Sequence, residues 1–303
     1  MRPLEPASTT EGRRHLVLVN PSAGGGRVRS LLPRLERALR EHALSYRLVM
    51  TTSLAHGCAE ARKAAADGEI PVVMSGDGLI GQIGGELAGG PVPLGVIPAG
   101  RGNDFARVTG IPVEIDAAAE LLALGTTRTV DVGEVNGCRF LCIASCGFDS
   151  ECNRIANEAR FVKGNLVYLY AVLRALASWK PARFELIVDG RREELTGYSV
   201  AAANSKAYGG GMFLAPDAEL DDGKLDVVSV SEVSKLRCLA NLPKLFKGRH
   251  TDNEEVTVRR AEEVEIRADR PFAVYADGDH IADLPATVRV LPRALKVIAP
   301  RPG

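Results

Sequence analysis

Ile70-Pro71-Val72-Val73-Met74-Ser75-Gly76-Asp77-Gly78-Leu79-Ile80-Gly81-Gln82-Ile83-Gly84-Gly85 is the stretch that decides the fold. An apolar run of strand length stops at a glycine turn, and a segment of helical apolar spacing follows. Together they read as strand, loop and helix. Such a loop presents bare backbone N–H groups at a helix N-terminus, a natural seat for phosphate. Asp77 makes the seat more specific. A carboxylate among phosphate-cradling amides would repel a bare phosphate, and it makes sense once Mg²⁺ lies between them. A tight turn, with glycine for positive φ and Asp77 as helix N-cap, accounts for the same residues without chemistry.

Upstream, His15 to Val19 reads as a short buried strand that stops at Asn20-Pro21-Ser22-Ala23-Gly24-Gly25-Gly26-Arg27. A helix over 28–42 follows, with Leu31, Leu32, Leu35, Ala38 and Leu39 on one stripe. The loop is neither a Walker A sequence nor GxGxxG. As a nucleotide loop it would use Asn20 as a side-chain donor and Arg27 toward phosphate, and a plain turn fits it equally well. A second strand over 46–51 and a helix over 55–67 lead into the central stretch. Downstream, Pro93 to Pro98 is another strand, running into Ala99-Gly100-Arg101-Gly102-Asn103-Asp104-Phe105-Ala106-Arg107. This alternation predicts a doubly wound parallel sheet covered on both faces, its loops gathered in one crevice at the strands' C-terminal ends. The loops of Asn20, Asp77 and Asn103 then come together although they are far apart in sequence.

After a helix near 116–124 the pattern changes. Thr129 to Gly137 leads into Phe140 to Gly147, with Asn136-Gly137 as a hairpin signal. Strand-like runs follow at 184–188, 199–203, 225–230, 256–258, 264–266, 272–276 and 286–290, interrupted by helical segments around 168–179 and 235–247. Short strands with tight turns predict an antiparallel sandwich. The expected domains are therefore 14–128, α/β and nucleotide-binding, and 129–292, a β-sandwich.

The chain has 303 residues, room for two domains, with 46% apolar and 25% charged residues as in a soluble globular protein. Its 38 basic and 38 acidic residues cancel, which argues against nucleic acid held by bulk electrostatics. No apolar run approaches the ~20 residues that span a bilayer, so no transmembrane segment is expected. Met1 to His15 lacks the apolar core of a signal peptide and reads as a frayed tail. Among the six cysteines, Cys138, Cys142 and Cys146 fall at intervals of four. On one strand they would lie about 13 Å apart, too far to share an ion, and they read as reduced small hydrophobes of a cytosolic protein.

In order along the chain, NPSAGGGR, SGDG, GVIPAGRGNDFAR, CGFD, ANSKAYGGGMFLAPDAELDDGKLDV and YADGD resemble the diacylglycerol kinase catalytic-domain family. That family includes bacterial lipid kinases and the sphingosine and ceramide kinases. The resemblance runs from about Leu16 to Pro300. It implies a nucleotide-binding α/β domain followed by a β-sandwich, with the last strand, in 293–301, returning to the first domain. It also implies ATP- and Mg²⁺-dependent phosphorylation of a lipid hydroxyl, with diacylglycerol favoured by the bacterial members. Asp77 would position Mg²⁺, and Asp131 in VDVG matches a position that extends the metal network. Asp277 in YADGD would be the general base, which suits a reaction needing in-line positioning, charge neutralisation and a proton acceptor. As a bland alternative, Asp277-Gly278 is a type I′ turn. Asn20, Gly24, Arg27, Ser75, Gly76, Gly78, Gly100, Arg101, Gly102, Asn103, Asp104 and Asp279 would line the nucleotide. Asp221-Asp222-Gly223 resembles a structural Mg²⁺ loop of some bacterial members, and a solvated turn fits it equally.

The sequence departs from the family pattern in places. SGDGL replaces GGDGT, so Leu79 offers no hydroxyl, and Gly81-Gln82 replaces an Asn-Glu pair. Arg101 stands where a small residue is usual, either supplying phosphate charge or blocking the loop, and DGD replaces DGE. Two other readings therefore stand beside a lipid kinase: a phosphotransferase of the NAD kinase type, and a non-catalytic nucleotide- or lipid-binding homologue. A cytoplasmic protein that visits the membrane for its lipid substrate is expected, and exposed sheet edges allow a homodimer. The basic amphipathic segment Lys235 to Arg249 reads better as a core-facing helix with a solvated basic face than as a membrane contact.

Overall fold

The computed structural model describes residues 12–159 and 166–301, so most of the expected N-terminal tail lies outside the described residues. The chain divides into two compact units, one running to Val130 and resuming at Arg293, the other from Asp131 to Pro292.

The first unit alternates strand and helix: β1 (His15–Val19), α1 (Val28–Glu41), β2 (Tyr46–Met50), α2 (Leu54–Ala66), β3 (Ile70–Ser75), α3 (Asp77–Leu87), β4 (Gly95–Pro98), α4 (Asp104–Thr109) and α5 (Ile115–Leu124). Its parallel sheet has the order β2-β1-β3-β4. β1 and β3 are buried along their whole length, as strands covered on both faces must be. On one face Val17, Val19, Val72 and Met74 pack with Leu35 and Leu39 of α1 and Ala118 and Leu122 of α5. The alternating residues Leu16, Leu18 and Val73 are equally buried, on the face contacted by α2 and α3. Beyond β4 the sheet continues through a parallel bridge from Leu94 to Val297 in the returning C-terminal segment. Leu94 donates to the Lys296 carbonyl at 2.8 Å, and Ile298 donates to the Leu94 carbonyl at 2.9 Å.

The second unit is antiparallel. Its strands are β5 (Thr126–Val135, entering from the first unit), β6 (Cys138–Phe140), β7 (Ile143–Gly147), β8 (Ala182–Val188), β9 (Arg191–Ala203) and β10 (Leu225–Ser231). They continue with β11 (Val256–Ala261), β12 (Glu263–Ala268), β13 (Ala273–Ala276), β14 (Asp279–Asp283) and β15 (Ala286–Ala299). The order is β14-β13-β7-β9-β8-β12-β15-β5-β6, with β10 branching from β9 and carrying β11. Along β8, Ala182, Phe184, Leu186 and Val188 are buried and the residues between them are not, so one face is turned inward. Phe140, Phe184, Val200, Val227, Val264 and Val288 share the resulting core.

Among the described residues this unit has three α-helices: α6 (Phe148–Glu158), α7 (Leu166–Ser178) and α8 (Lys235–Leu245). The sequence reading passes over α6. Its inward stripe of Phe148, Cys152, Ile155 and Ala156 is short and interleaved with charges, and it becomes a helix by packing on α7. The three closely spaced cysteines do not share one strand as expected. Cys138 is exposed on β6, Cys142 lies in the connection and Cys146 is buried in β7.

Candidate active site

In the first unit, the loops after β1, β3 and β4 meet at the C-terminal edge of the parallel sheet. Asn20 donates its backbone N–H to the Met74 carbonyl at 3.1 Å and its side-chain amide to Ser75 Oγ at 3.2 Å. The Ala99 N–H donates to the Ser75 carbonyl at 2.8 Å, and the Gly100 N–H to Asn103 Oδ1 at 2.8 Å. Gly76 and Gly100 approach so closely that a Cβ on Gly100 would lie 2.5 Å from the Gly76 Cα. Only two glycines fit this crossing. Gly24, at φ +58°, backs onto the same place, where a Cβ would lie 2.7 Å from the Ala99 carbonyl. Arg27 folds back to donate to the Gly24 carbonyl at 3.1 Å.

Asp77 is not the N-cap of its own helix, which is Gly76. Instead its Oδ1 accepts from the Phe105 N–H at 3.1 Å, and the backbone N–H groups of Asp104 and Asn103 also serve this carboxylate. Asn103 adopts the left-handed conformation at the start of α4 and aims those amides at Asp77. Burial, followed by the neighbouring Asp104 charge, nevertheless pushes the Asp77 carboxyl up to about 6, with the amides acting in the opposite direction. Asp104 is itself buried. Two hard oxygen donors beside loop amides suit Mg²⁺ shared with a phosphate, since that ion is held by one or two carboxylates with the rest of its shell from substrate and water. Among the described residues no group of three acidic, histidine or cysteine side chains forms a dedicated protein cage.

The remaining expected residues of this unit divide by exposure. Ser75 and Gly102 are buried, Gly78 lies half-buried in the first turn of α3, and Arg101 is exposed. The Gly102 carbonyl accepts from Arg107 Nε at 2.9 Å, which braces the loop. Leu79 turns inward against α2, close enough that a Cβ on Gly57 would meet its Cδ1 at 3.2 Å.

In the second unit, Asp277 and Gly278 form the turn between β13 and β14, both with positive φ. The carboxylate is clamped by two backbone donors, Leu141 N–H to Oδ2 at 2.7 Å and Cys142 N–H to Oδ1 at 2.9 Å. Asn157 of α6 holds the turn by donating to the Gly278 carbonyl at 2.8 Å. Turn and positioned carboxylate therefore coexist. Asp279 is exposed at the start of β14.

Asp131 is fully buried, and its Oδ2 accepts from the Gly223 N–H at 2.7 Å while its own N–H donates to the Leu220 carbonyl at 2.6 Å. Asn204, which the sequence reading does not single out, ties this strand to the Asp277 clamp. Its side-chain amide donates to the carbonyls of Asp131 at 3.0 Å and Leu141 at 2.8 Å. Its buried Oδ1 has no partner among the described residues, so a water or ligand atom there would complete the network. The Asp221-Asp222 loop, which the sequence offers either as a Mg²⁺ loop or as a solvated turn, holds Asp222 by internal contacts. Asp222 Oδ1 takes the Lys224 N–H at 2.9 Å, and Oδ2 pairs with the Arg260 guanidinium. A guanidinium therefore already stands beside Asp222.

Comparison with known proteins bears on the family and the fold. Residues 14–135 match the family model of the diacylglycerol kinase catalytic domain, and residues 142–299 match that of the YegS C-terminal NAD kinase beta sandwich-like domain. The diacylglycerol kinase of Mycobacterium tuberculosis is 38% identical over 239 residues, 77% of either chain. That of Bacillus subtilis is 28% identical over 298 residues, 95% of this chain and 97% of its own. A solved diacylglycerol kinase structure from Bacillus anthracis strain Sterne superposes with a TM-score of 0.76 over 95% of this chain and 97% of that one. At 22% identity it bears on the fold alone.

Proposed function

The chain belongs to the diacylglycerol kinase catalytic-domain family, and from that premise we propose that it transfers phosphate from ATP, with Mg²⁺, to a lipid hydroxyl, diacylglycerol first among acceptors. The observation that carries this reading is the Asp77–Asp104 pair, with Asp77 held by backbone amides at the start of α4, at the sheet edge where three loops meet. In this reading ATP supplies the phosphoryl group and Mg²⁺ offsets its charge. Asn20, Gly24, Gly76, Gly100 and Asn103 shape the loops around the phosphates, the glycines by letting backbone approach closely. Arg101, exposed on its loop, adds a mobile positive charge where the lost hydroxyl of residue 79 would have acted. Asp277 accepts the lipid hydroxyl proton as the oxygen bonds to phosphorus and ADP departs, its orientation fixed by Leu141 and Cys142. Asp131 and Asn204 keep that clamp in register. The lipid acceptor places the working enzyme at a membrane surface. No helix among the described residues is long and apolar enough to cross a bilayer.

The test is transfer of radiolabelled phosphate from ATP to diacylglycerol, ceramide, sphingosine and NAD in mixed micelles containing Mg²⁺. Labelled phosphatidic acid is expected, with Asp277→Asn slower by about 10³-fold, within the range for loss of a general base. Label on NAD would move the acceptor outside lipids. Nucleotide binding without transfer to any acceptor would make the chain a binding homologue.

A further inference from the structure

We propose that α8, together with the adjoining outward face of α7, is a docking surface for an anionic lipid bilayer. The proposal gives the lipid kinase reading its partner surface and rests on that reading for its purpose, although its test does not. α8 is the helix the sequence favours for this segment, with its inner side packed on a cluster of this unit, but none of its residues is fully buried. Cys238, Leu239, Leu242 and Leu245 are half-buried on its inner side, while Leu236 is 81% exposed and Phe246, just past its end, is 53% exposed. The Phe213 N–H donates to the Leu245 carbonyl, which brings a further exposed aromatic to that end. Lys235 Nζ donates to the Ala177 carbonyl of α7 at 2.9 Å, and Val172 and Leu176 share a cluster with Cys238 and Leu239. The outward side of α7 carries Leu169, Tyr170 and Leu173. Six of the nine large apolar side chains exposed among the described residues thus lie on α7, on α8 and its end, and on the Phe213 segment bonded to it. Scattered exposure is ordinary, whereas concentration marks an interaction surface.

Charge selects the partner. From Ser234 to Thr251 the chain carries Lys235, Arg237, Lys244, Lys247 and Arg249 and no acid, and from Leu166 to Arg183 it carries Arg174, Lys180 and Arg183 and no acid. The whole chain is electroneutral, so this is a local excess. Glu255 neutralises Arg237, and Asp252 lies near Arg249. Among the described residues no carboxylate pairs with Lys235, Lys244 or Lys247. A second copy of this surface would bring like charges together. An anionic bilayer meets the lysines with lipid headgroups and the leucine and phenylalanine side chains with acyl chains, as an interfacial helix requires.

The test is co-sedimentation of the nucleotide-free protein with vesicles of phosphatidylcholine alone or with about 30 mol % phosphatidylglycerol, enough to set up a negative surface potential. Strong binding is expected only to the anionic vesicles, weakening in high salt as the Debye length shrinks. Lys244→Ala and Lys247→Ala should each lower partitioning about fivefold. The double variant Leu236→Ser, Phe246→Ser should lower it at least about tenfold while leaving turnover of a water-soluble short-chain diacylglycerol unchanged. Absent binding by the native chain, equal binding to neutral and anionic vesicles, or full binding by both sets of variants would each overturn the proposal. So would a native dimer that the Leu236, Phe246 variant converts to monomer. Vesicle binding that persists when no lipid is phosphorylated would uphold this surface and sink the kinase reading separately.

Discussion

Two places in this molecule crowd carboxyl groups together, and they manage the charge by different means. In the first unit Asp77 sits beside Asp104, and what opposes their repulsion at Asp77 is a set of backbone amides at the start of α4. In the second unit Asp226 is buried near Asp222, Asp217 and Glu219, and the opposing group is the Arg260 guanidinium. Burial is the largest influence on both Asp77 and Asp226, and it pushes each carboxyl up to about 6. A guanidinium carries a full, permanent charge, so the second cluster has a cation of its own within the chain. Amides carry partial charge only, which suits an arrangement that takes a further cation together with a phosphate. Acid clustering alone does not tell these two clusters apart; the nature of the counter-charge does.

The largest effect is expected at Asp77. Asp77→Asn keeps an oxygen for the Phe105 amide and removes the charge, so kinase turnover should fall by about 10³-fold, or about 4 kcal/mol of barrier. Without ligands the variant should be no less stable than the native chain at pH 7. The sign follows from linkage. An acid whose folded value lies above its unfolded one destabilises the fold when ionised, and the stability is regained as pH falls through about 6 toward the unfolded value. Thermal melts from pH 7.5 to 4.5 should therefore show the two curves converging at acid pH. Retained turnover in this variant would remove the distinction drawn above.

Gly100→Ala should have the next largest effect. The added methyl meets backbone at the Gly76 crossing, at 2.5 Å, and no flexible side chain can move to relieve it. A destabilisation of about 2–3 kcal/mol is expected, with nucleotide binding lost in proportion. Denaturant titration together with a nucleotide-binding assay would show it. An unperturbed variant would mean that the amide array tolerates separation and is not the counter-charge for Asp77.

The fold class was legible because β1 and β3 are short, continuous apolar runs ending at glycine loops, and such runs admit little besides a parallel sheet with covered faces. The juxtaposition of the Asn20, Asp77 and Asn103 loops follows from the same pattern, since sheet topology alone carries strand ends to one edge. Other features depend on tertiary packing that no local pattern encodes. α6 has a stripe of only four inward residues and is helical because α7 covers it. Asp104 stands next to Asn103 in sequence, yet its importance comes from lying beside Asp77, which requires the left-handed turn at Asn103 to be known. Asn204 sits between Ala203 and Ser205 with nothing local to mark it, and it acquires a role only because β5 and the Leu141 connection converge on it. Arg260 lies 38 residues beyond Asp222, and its pairing comes from the β10–β11 hairpin register that sets Asp226 opposite Arg260. In the linear sequence the acids of the 217–226 segment therefore look available to a metal.

Arg260→Met has the smallest expected effect and bears most directly on the contrast. Methionine keeps much of the aliphatic stem and removes the charge. Arg260 is more than half exposed while Asp222 is 14% exposed, so solvent screens part of the loss and about 1 kcal/mol of destabilisation at pH 7 is expected. Without the guanidinium, Asp226 should shift further upward from about 6. Because its folded value exceeds its unfolded one, the penalty should be largest above pH 7 and fade as pH drops toward 4. The measurement is best made in the Asp77→Asn background, so that any gain from Mg²⁺ arises outside the first unit. There, millimolar Mg²⁺ should raise the melting temperature of the Arg260→Met chain and leave the Arg260 chain unchanged, because only the former has an uncompensated acidic cluster to fill. A pH-independent penalty with no Mg²⁺ response would show that Arg260 contributes packing alone. Equal Mg²⁺ stabilisation of both chains would show that the loop takes a metal beside its arginine, and the two clusters would then differ in degree and not in kind.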